Sequence, residues 1–260
     1  MSDRATRLAG LYAAIAAAAS VLLSPLLALA YFAIPDGAGQ LRNGTVRAWA
    51  TPARDLISGL LTWAPPERVY ATYVQAFALI FPAIFLCARA VRARRPAAGR
   101  NERWGWRIAL AGYGWAALGL LAMLPLLISA PGGHAPAVNL AFLTLLLPGM
   151  FISAIGSTVL GIALLRSHYT PRLTPWLLTL AFPSMLIIPT VLGHNSLGMV
   201  PLIVAWGVSG IQLWRAHDQA PPSEIAPPLL PPHSRPDGVQ AARNARFAND
   251  RPENFGGVPH

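Results

Sequence analysis

The chain alternates long stretches without charge with short stretches that hold nearly all of it. Six runs contain no Asp, Glu, Lys or Arg: 9–34, 70–88, 108–130, 137–165, 173–193 and 196–214. Each has 19 or more residues. At about 1.5 Å rise per residue a helix of that length covers about 28 Å, close to the thickness of a hydrocarbon core. Open strands would leave backbone groups unpaired in lipid, so helix is the only conformation these runs can hold there. The pattern predicts an all-α polytopic membrane bundle of six transmembrane helices over residues 1–215. Only His194-Asn195 divides the last two runs. Together with Gly193 they predict a tight turn, since one helix over both runs is far too long for a single span.

The segments between the runs set the expected orientation. All basic residues are arginine, and 16 of the 20 fall on one side if successive helices alternate in direction. Seven of them lie in the segment 89–107. The other side keeps Arg42, Arg47, Arg54 and Arg68, all in the loop 35–69. Arginine resists translocation, so the asymmetry predicts both termini in the cytoplasm. Met1–Arg7 with Ala28-Leu29-Ala30 has the outline of a cleavable leader. The 26-residue length of the first run, which continues through Tyr31-Phe32-Ala33-Ile34, instead predicts an uncleaved helix.

The loop 35–69 carries a helix signal of its own. Thr51 can cap, Pro52 suits a first helical position, and Asp55 sits well in a first turn. Leu56, Ile57, Leu60, Leu61 and Ala64 then share a face, and Pro65-Pro66 ends the segment. The expectation is a short amphipathic helix over 52–64 at the outer membrane surface. Past Arg215 the periodicity stops. Residues 216–260 hold nine prolines and read as a disordered Pro/Arg-rich cytoplasmic tail.

Composition agrees with this picture. Apolar residues make up 54% and charged ones 12%, against about 25% charged in soluble domains. The net charge of +10 belongs to short loops beside apolar runs, where topology and lipid headgroups account for it. The expected partner is therefore the lipid bilayer, not nucleic acid. Abundant Ala, Pro and Gly with no lysine suggests a bacterial source, hence a multi-pass protein of the bacterial inner membrane. The single cysteine, Cys87, allows no internal disulfide and no paired-thiol motif.

Candidate chemistry is sparse. No ionisable residue lies mid-run, which argues against proton relay or ion coupling. His194 and Asn195 fall at outer helix ends together with His134 and Asn139, and Asp36, Asp55 and Glu67 could fold over them. This polar cluster is the only candidate site, and its spacing specifies no metal and no cofactor. Ser153, Ser157 and Gly161 recur every four residues and form a small-residue stripe, as do Ala205 and Ser209; such stripes let helices approach closely, within the bundle or in a homo-oligomer. Every run contains proline, and Pro148-Gly149 is the pair expected to act as a hinge. Trp115 and Trp206 are expected to pack between helices. A serine on the fourth helix and a histidine near the sixth invite comparison with rhomboid intramembrane proteases. Ser153 and His194 are expected at different depths, however, and no GxSG-type motif is present. The sequence therefore points to a non-catalytic membrane component that assembles with other membrane proteins. A facilitator of a small neutral or apolar solute is the alternative, and an intramembrane enzyme comes third.

Overall fold

A computed structural model describes residues 2–95, 97, 99–129 and 140–215. His134, Asn139 and the expected tail 216–260 lie outside the described residues. Every element within them is helical. Five helices are long and apolar enough to cross a membrane, and a bent pair makes a sixth if counted as one span.

The helices outrun the uncharged segments, because backbone hydrogen bonding continues into water where arginines are at ease. Helix α1 spans Asp3–Tyr31, its first turn capped by Ser2, whose Oγ accepts the Ala5 N–H at 3.3 Å. Ala28, Leu29 and Ala30, the residues with the outline of a cleavage site, are buried in its last turn. A turn of helix, α2 (Pro35–Ala38), leads to α3 (Gly44–Leu56) and a further turn, α4 (Ser58–Leu61). Next come α5 (Pro66–Ala78), α6 (Ile80–Arg94) and α7 (Arg100–Ser129). A π-helical turn over Phe142–Leu146 runs into α8 (Leu147–Arg166). Helices α9 (Leu173–Thr179) and α10 (Ala181–Leu192) form the bent pair, and α11 (Asn195–Arg215) closes the described chain.

The expected surface helix over 52–64 is corrected. Helix α3 starts at Gly44 under an Asn43 cap, whose Oδ1 accepts the Thr45 N–H at 3.0 Å, and it carries Pro52 inside. Its inward residues are Val46 and Ala50, which pack with Phe32 and Leu29 in a small cluster over one end of the bundle. Of the face drawn from sequence, Leu61 is buried, whereas Leu56 is 86% exposed. The Asn43 side chain competes better for a free amide than Thr51 does, and the helix absorbs the one bond that Pro52 lacks.

Prolines shape the long helices, although not where a hinge was expected. At Pro148 the helix does not bend open. Proline has no N–H for the Thr144 carbonyl, and the preceding turn shifts to five-residue spacing, with Leu147 N–H bonded to the Phe142 carbonyl. The bend, 58°, lies between α9 and α10, three residues before Pro183. There Thr158 of α8 repairs the interrupted ladder. Its Oγ1 lies 3.2 Å from the Thr179 carbonyl as donor, and accepts the Phe182 N–H at 3.1 Å. The break between α5 and α6, three residues before Pro82, is treated alike: the Tyr12 hydroxyl donates to the Leu79 carbonyl. A neighbouring hydroxyl thus satisfies the backbone at both breaks.

The most extensive contact, α7 against α8, runs in a fixed antiparallel register. A Cβ on Gly105 would meet Leu160, on Gly156 Ala109, on Gly112 Ser153, and on Gly149 Ala116, each at 3.0 Å or less from backbone atoms. In every pair the residue numbers add to 265. Gly105, Gly112 and Gly119 on α7 and Gly149 and Gly156 on α8 are each seven apart, so small residues meet backbone along the whole seam. Ser153 and Ser157 are buried in it, while Gly161 faces Thr179 and Pro175 of α9. Helices α1 and α11 approach in the same way through Gly10 and Gly210. Trp206 is buried, but Trp115, also expected to pack between helices, is 48% exposed: the Gly112/Ser153 and Ala116/Gly149 contacts turn position 115 outward.

Candidate functional site

The two ends of the bundle differ. One, the arginine end, holds Arg94, Arg95, Arg100, Arg166 and Arg215 at helix termini. There Glu102 Oε1 accepts Arg95 Nε–H at 3.3 Å and the Trp106 indole N–H at 3.2 Å; Arg95 also donates to Ser167 Oγ at 2.9 Å. The other, the loop end, carries α2–α4 and the turn at His194.

A cavity of about 440 Å³ lies at the loop end. Its walls are mainly apolar and include the rings of Tyr31, Tyr70, Phe77, Phe81 and Phe142 together with Met150. Polar groups, namely Asp36, Gln40, His194, Asn195 and Ser196, also line it, and all belong to the loop-end turns. Phe142 and Leu146 come from the π turn, Phe77 and Phe81 straddle the α5–α6 break, and Pro189 interrupts α10. The cavity therefore forms where the helices depart from straight packing. Seven residues further along α7 towards the arginine end, at Tyr113, the interior is closed. Tyr113, Ser157 and Trp206 are buried there, with the Trp206 indole N–H donating to Tyr113 Oη at 3.0 Å and Tyr113 Oη bonded to Ser157 Oγ.

Of the polar cluster drawn from sequence, His194 and Asn195 line this cavity with Asp36. Asp55 and Glu67 do not line it. Among the described residues no three His, Cys, Asp or Glu side chains gather closely enough to hold a metal ion.

The turn that places His194 is built with care. Gly193 ends α10 in the left-handed region, φ 85°, with its N–H on the Pro189 carbonyl at 2.7 Å. Any side chain would be strained there, and a Cβ would also crowd Val46 and Phe32. His194 then caps α11: its Nδ1 accepts the Ser196 N–H at 3.2 Å. Ser196 Oγ lies 2.8 Å from the same nitrogen and donates to the Ser24 carbonyl at 3.0 Å, tying the turn to α1. The imidazole lies beside the Tyr31 ring, at 5.0 Å between centroids. This serine–histidine contact is a cap, not a nucleophile with its base, since the serine proton is committed to a carbonyl.

Burial pushes the His194 pKa down to about 4, and a helix N-terminus also disfavours a cation. In the unfolded chain the imidazole protonates near pH 6.5. Between these values the unfolded state binds more protons. Stability is therefore complete above pH 6.5, declines as pH falls towards 4, and then levels. The expected loss is about 1–3 kcal/mol. Melting of the detergent-solubilised protein at pH 7.5 and 4.5 measures it. His194→Asn, which can still cap, should flatten the slope; an unchanged slope refutes the assignment.

Nothing local marks the cavity walls, because aromatic and Met residues inside apolar runs are indistinguishable from lipid-facing or core positions until the helices are placed. Comparison with family models, curated proteins and solved structures finds no match.

Proposed function

We propose that this chain is a non-catalytic multi-pass membrane protein that holds a small neutral, largely apolar molecule in the loop-end cavity. The observation that carries this reading is the union of aromatic walls with hydrogen-bonding groups at one end, in a volume suited to a small ligand. His194 stays neutral and offers an imidazole, Asn195 and Gln40 offer amides, and Asp36 makes the lining inhospitable to anions. The arginine asymmetry supports a topology with six spans, the arginine end and both termini in the cytoplasm of a bacterial inner membrane, and the cavity facing outward. Exposed Leu56, Leu60 and Trp63 beside α3 suit the membrane surface.

Leu120→Trp, which fills the cavity from α7, tests the proposal. Both proteins are purified in mild detergent, and organic extracts are compared by mass spectrometry at equal, monodisperse protein. A neutral species retained by the wild type at near-equal molar amount, and at least about tenfold depleted in the variant, is expected. Identical extracts overturn the reading. A facilitator remains the second reading, favoured by the broken α9–α10 span beside the cavity. Solute flux by the lone protein in liposomes supports it and removes the claim of a closed binding site.

A further inference from the structure

A second hollow, of about 550 Å³, opens at the arginine end between the start of α7 and the last turns of α8. The 265 register that seats Gly105 against Leu160 brings Arg100 level with Leu165, so Arg100 and Arg166 share this hollow. Both are exposed. Neither has an ion pair or hydrogen bond among the described residues. The one carboxylate in the lining, Glu102, is 3% exposed and already bonded to Arg95 and Trp106. Two like charges from two helices thus line one hollow, and among the described residues neither is paired with a carboxylate. Their wall is apolar: Val159 and Ile162 of α8 are 37% and 41% exposed. One turn along α7 the exposed Trp104 ring, with the Arg107 guanidinium 5.3 Å from its centroid, marks the depth at which amphipathic rings settle near lipid headgroups.

We propose that this hollow binds an anionic phospholipid, its phosphodiester held by Arg100 and Arg166 and its acyl chains lying along Val159 and Ile162. Guanidinium groups match phosphate oxygens in bidentate fashion, and basic hollows between helix ends are suited to such headgroups. A soluble phosphate compound would satisfy the arginines but would leave the apolar wall without a partner.

The test uses the full chain in a neutral detergent and measures binding of phosphatidylglycerol, phosphatidylcholine and glycerol 3-phosphate by native mass spectrometry. Each arginine is expected to contribute about fivefold, so phosphatidylglycerol should bind about 25-fold more tightly than phosphatidylcholine. R100Q/R166Q should erase that preference, while R103Q/R172Q, which removes equal charge elsewhere at the same end, should retain most of it. The proposal is overturned if both double variants lose the preference equally, if R100Q/R166Q keeps it, or if glycerol 3-phosphate binds as tightly as phosphatidylglycerol.

Discussion

Gly156→Ala should cost the protein about 3 kcal/mol or more, and Gly156→Leu should prevent recovery of folded protein. The added Cβ would stand 2.4 Å from the Ala109 nitrogen and 2.7 Å from its Cα. These are backbone atoms of a long helix, so no rotamer change relieves the clash. Separating α7 from α8 at this point loosens the whole 265 register, including the Gly112–Ser153 approach, where the same construction gives 2.3 Å. Gly44→Ala provides the contrast, since a Cβ there meets nothing within 4 Å and should leave melting unchanged. Thermal unfolding in detergent decides the matter: Gly156→Ala melting within a degree or two of wild type would mean that the seam is not tight.

The second large effect is expected at Tyr113. The hydroxyl of Ser157 donates to the Ser153 carbonyl, so the Tyr113 hydroxyl must donate to Ser157 Oγ and is left to accept from the Trp206 indole. One buried chain of donors therefore links α11, α7 and α8. Tyr113→Phe keeps the ring but strands the Trp206 N–H where no water reaches, a loss of about 1–3 kcal/mol. Trp206→Phe deletes the donor itself and leaves Tyr113 bonded to Ser157. A double-mutant cycle over the two positions should accordingly show strong non-additivity. Additive losses would indicate that the indole finds another acceptor.

How much of this was legible beforehand depends on the range of the interaction concerned. Uncharged length and arginine placement are properties of contiguous residues, and they announced the all-helical, membrane-compatible architecture and the Gly193–Asn195 turn. The start of α3 was missed by eight residues because Asn43 and Thr51 are both competent caps, and only packing of Val46 and Ala50 under Phe32 selects between them. Pro148 looked like a hinge by sequence. Its lost hydrogen bond is absorbed by a π turn, whereas the bend fell before Pro183, where Thr158 from another helix fills the gap.

The site shows the same division. His194, Asn195 and Asp36 stood out as polar residues at helix ends, and the fold brings them to one cavity. The aromatic walls did not stand out, because nothing local separates a ring that faces a cavity from one that faces lipid. Ser153, Ser157 and Gly161 drew attention through their four-residue spacing, yet the seam is written in a seven-residue glycine repeat split between two helices. By itself the sequence determined which segments can leave water and where charge must stay, since hydrophobicity and desolvation act residue by residue. Tertiary structure alone decided which small residues meet, where proline breaks are repaired and where space is left over, because each of these needs a partner distant in the chain.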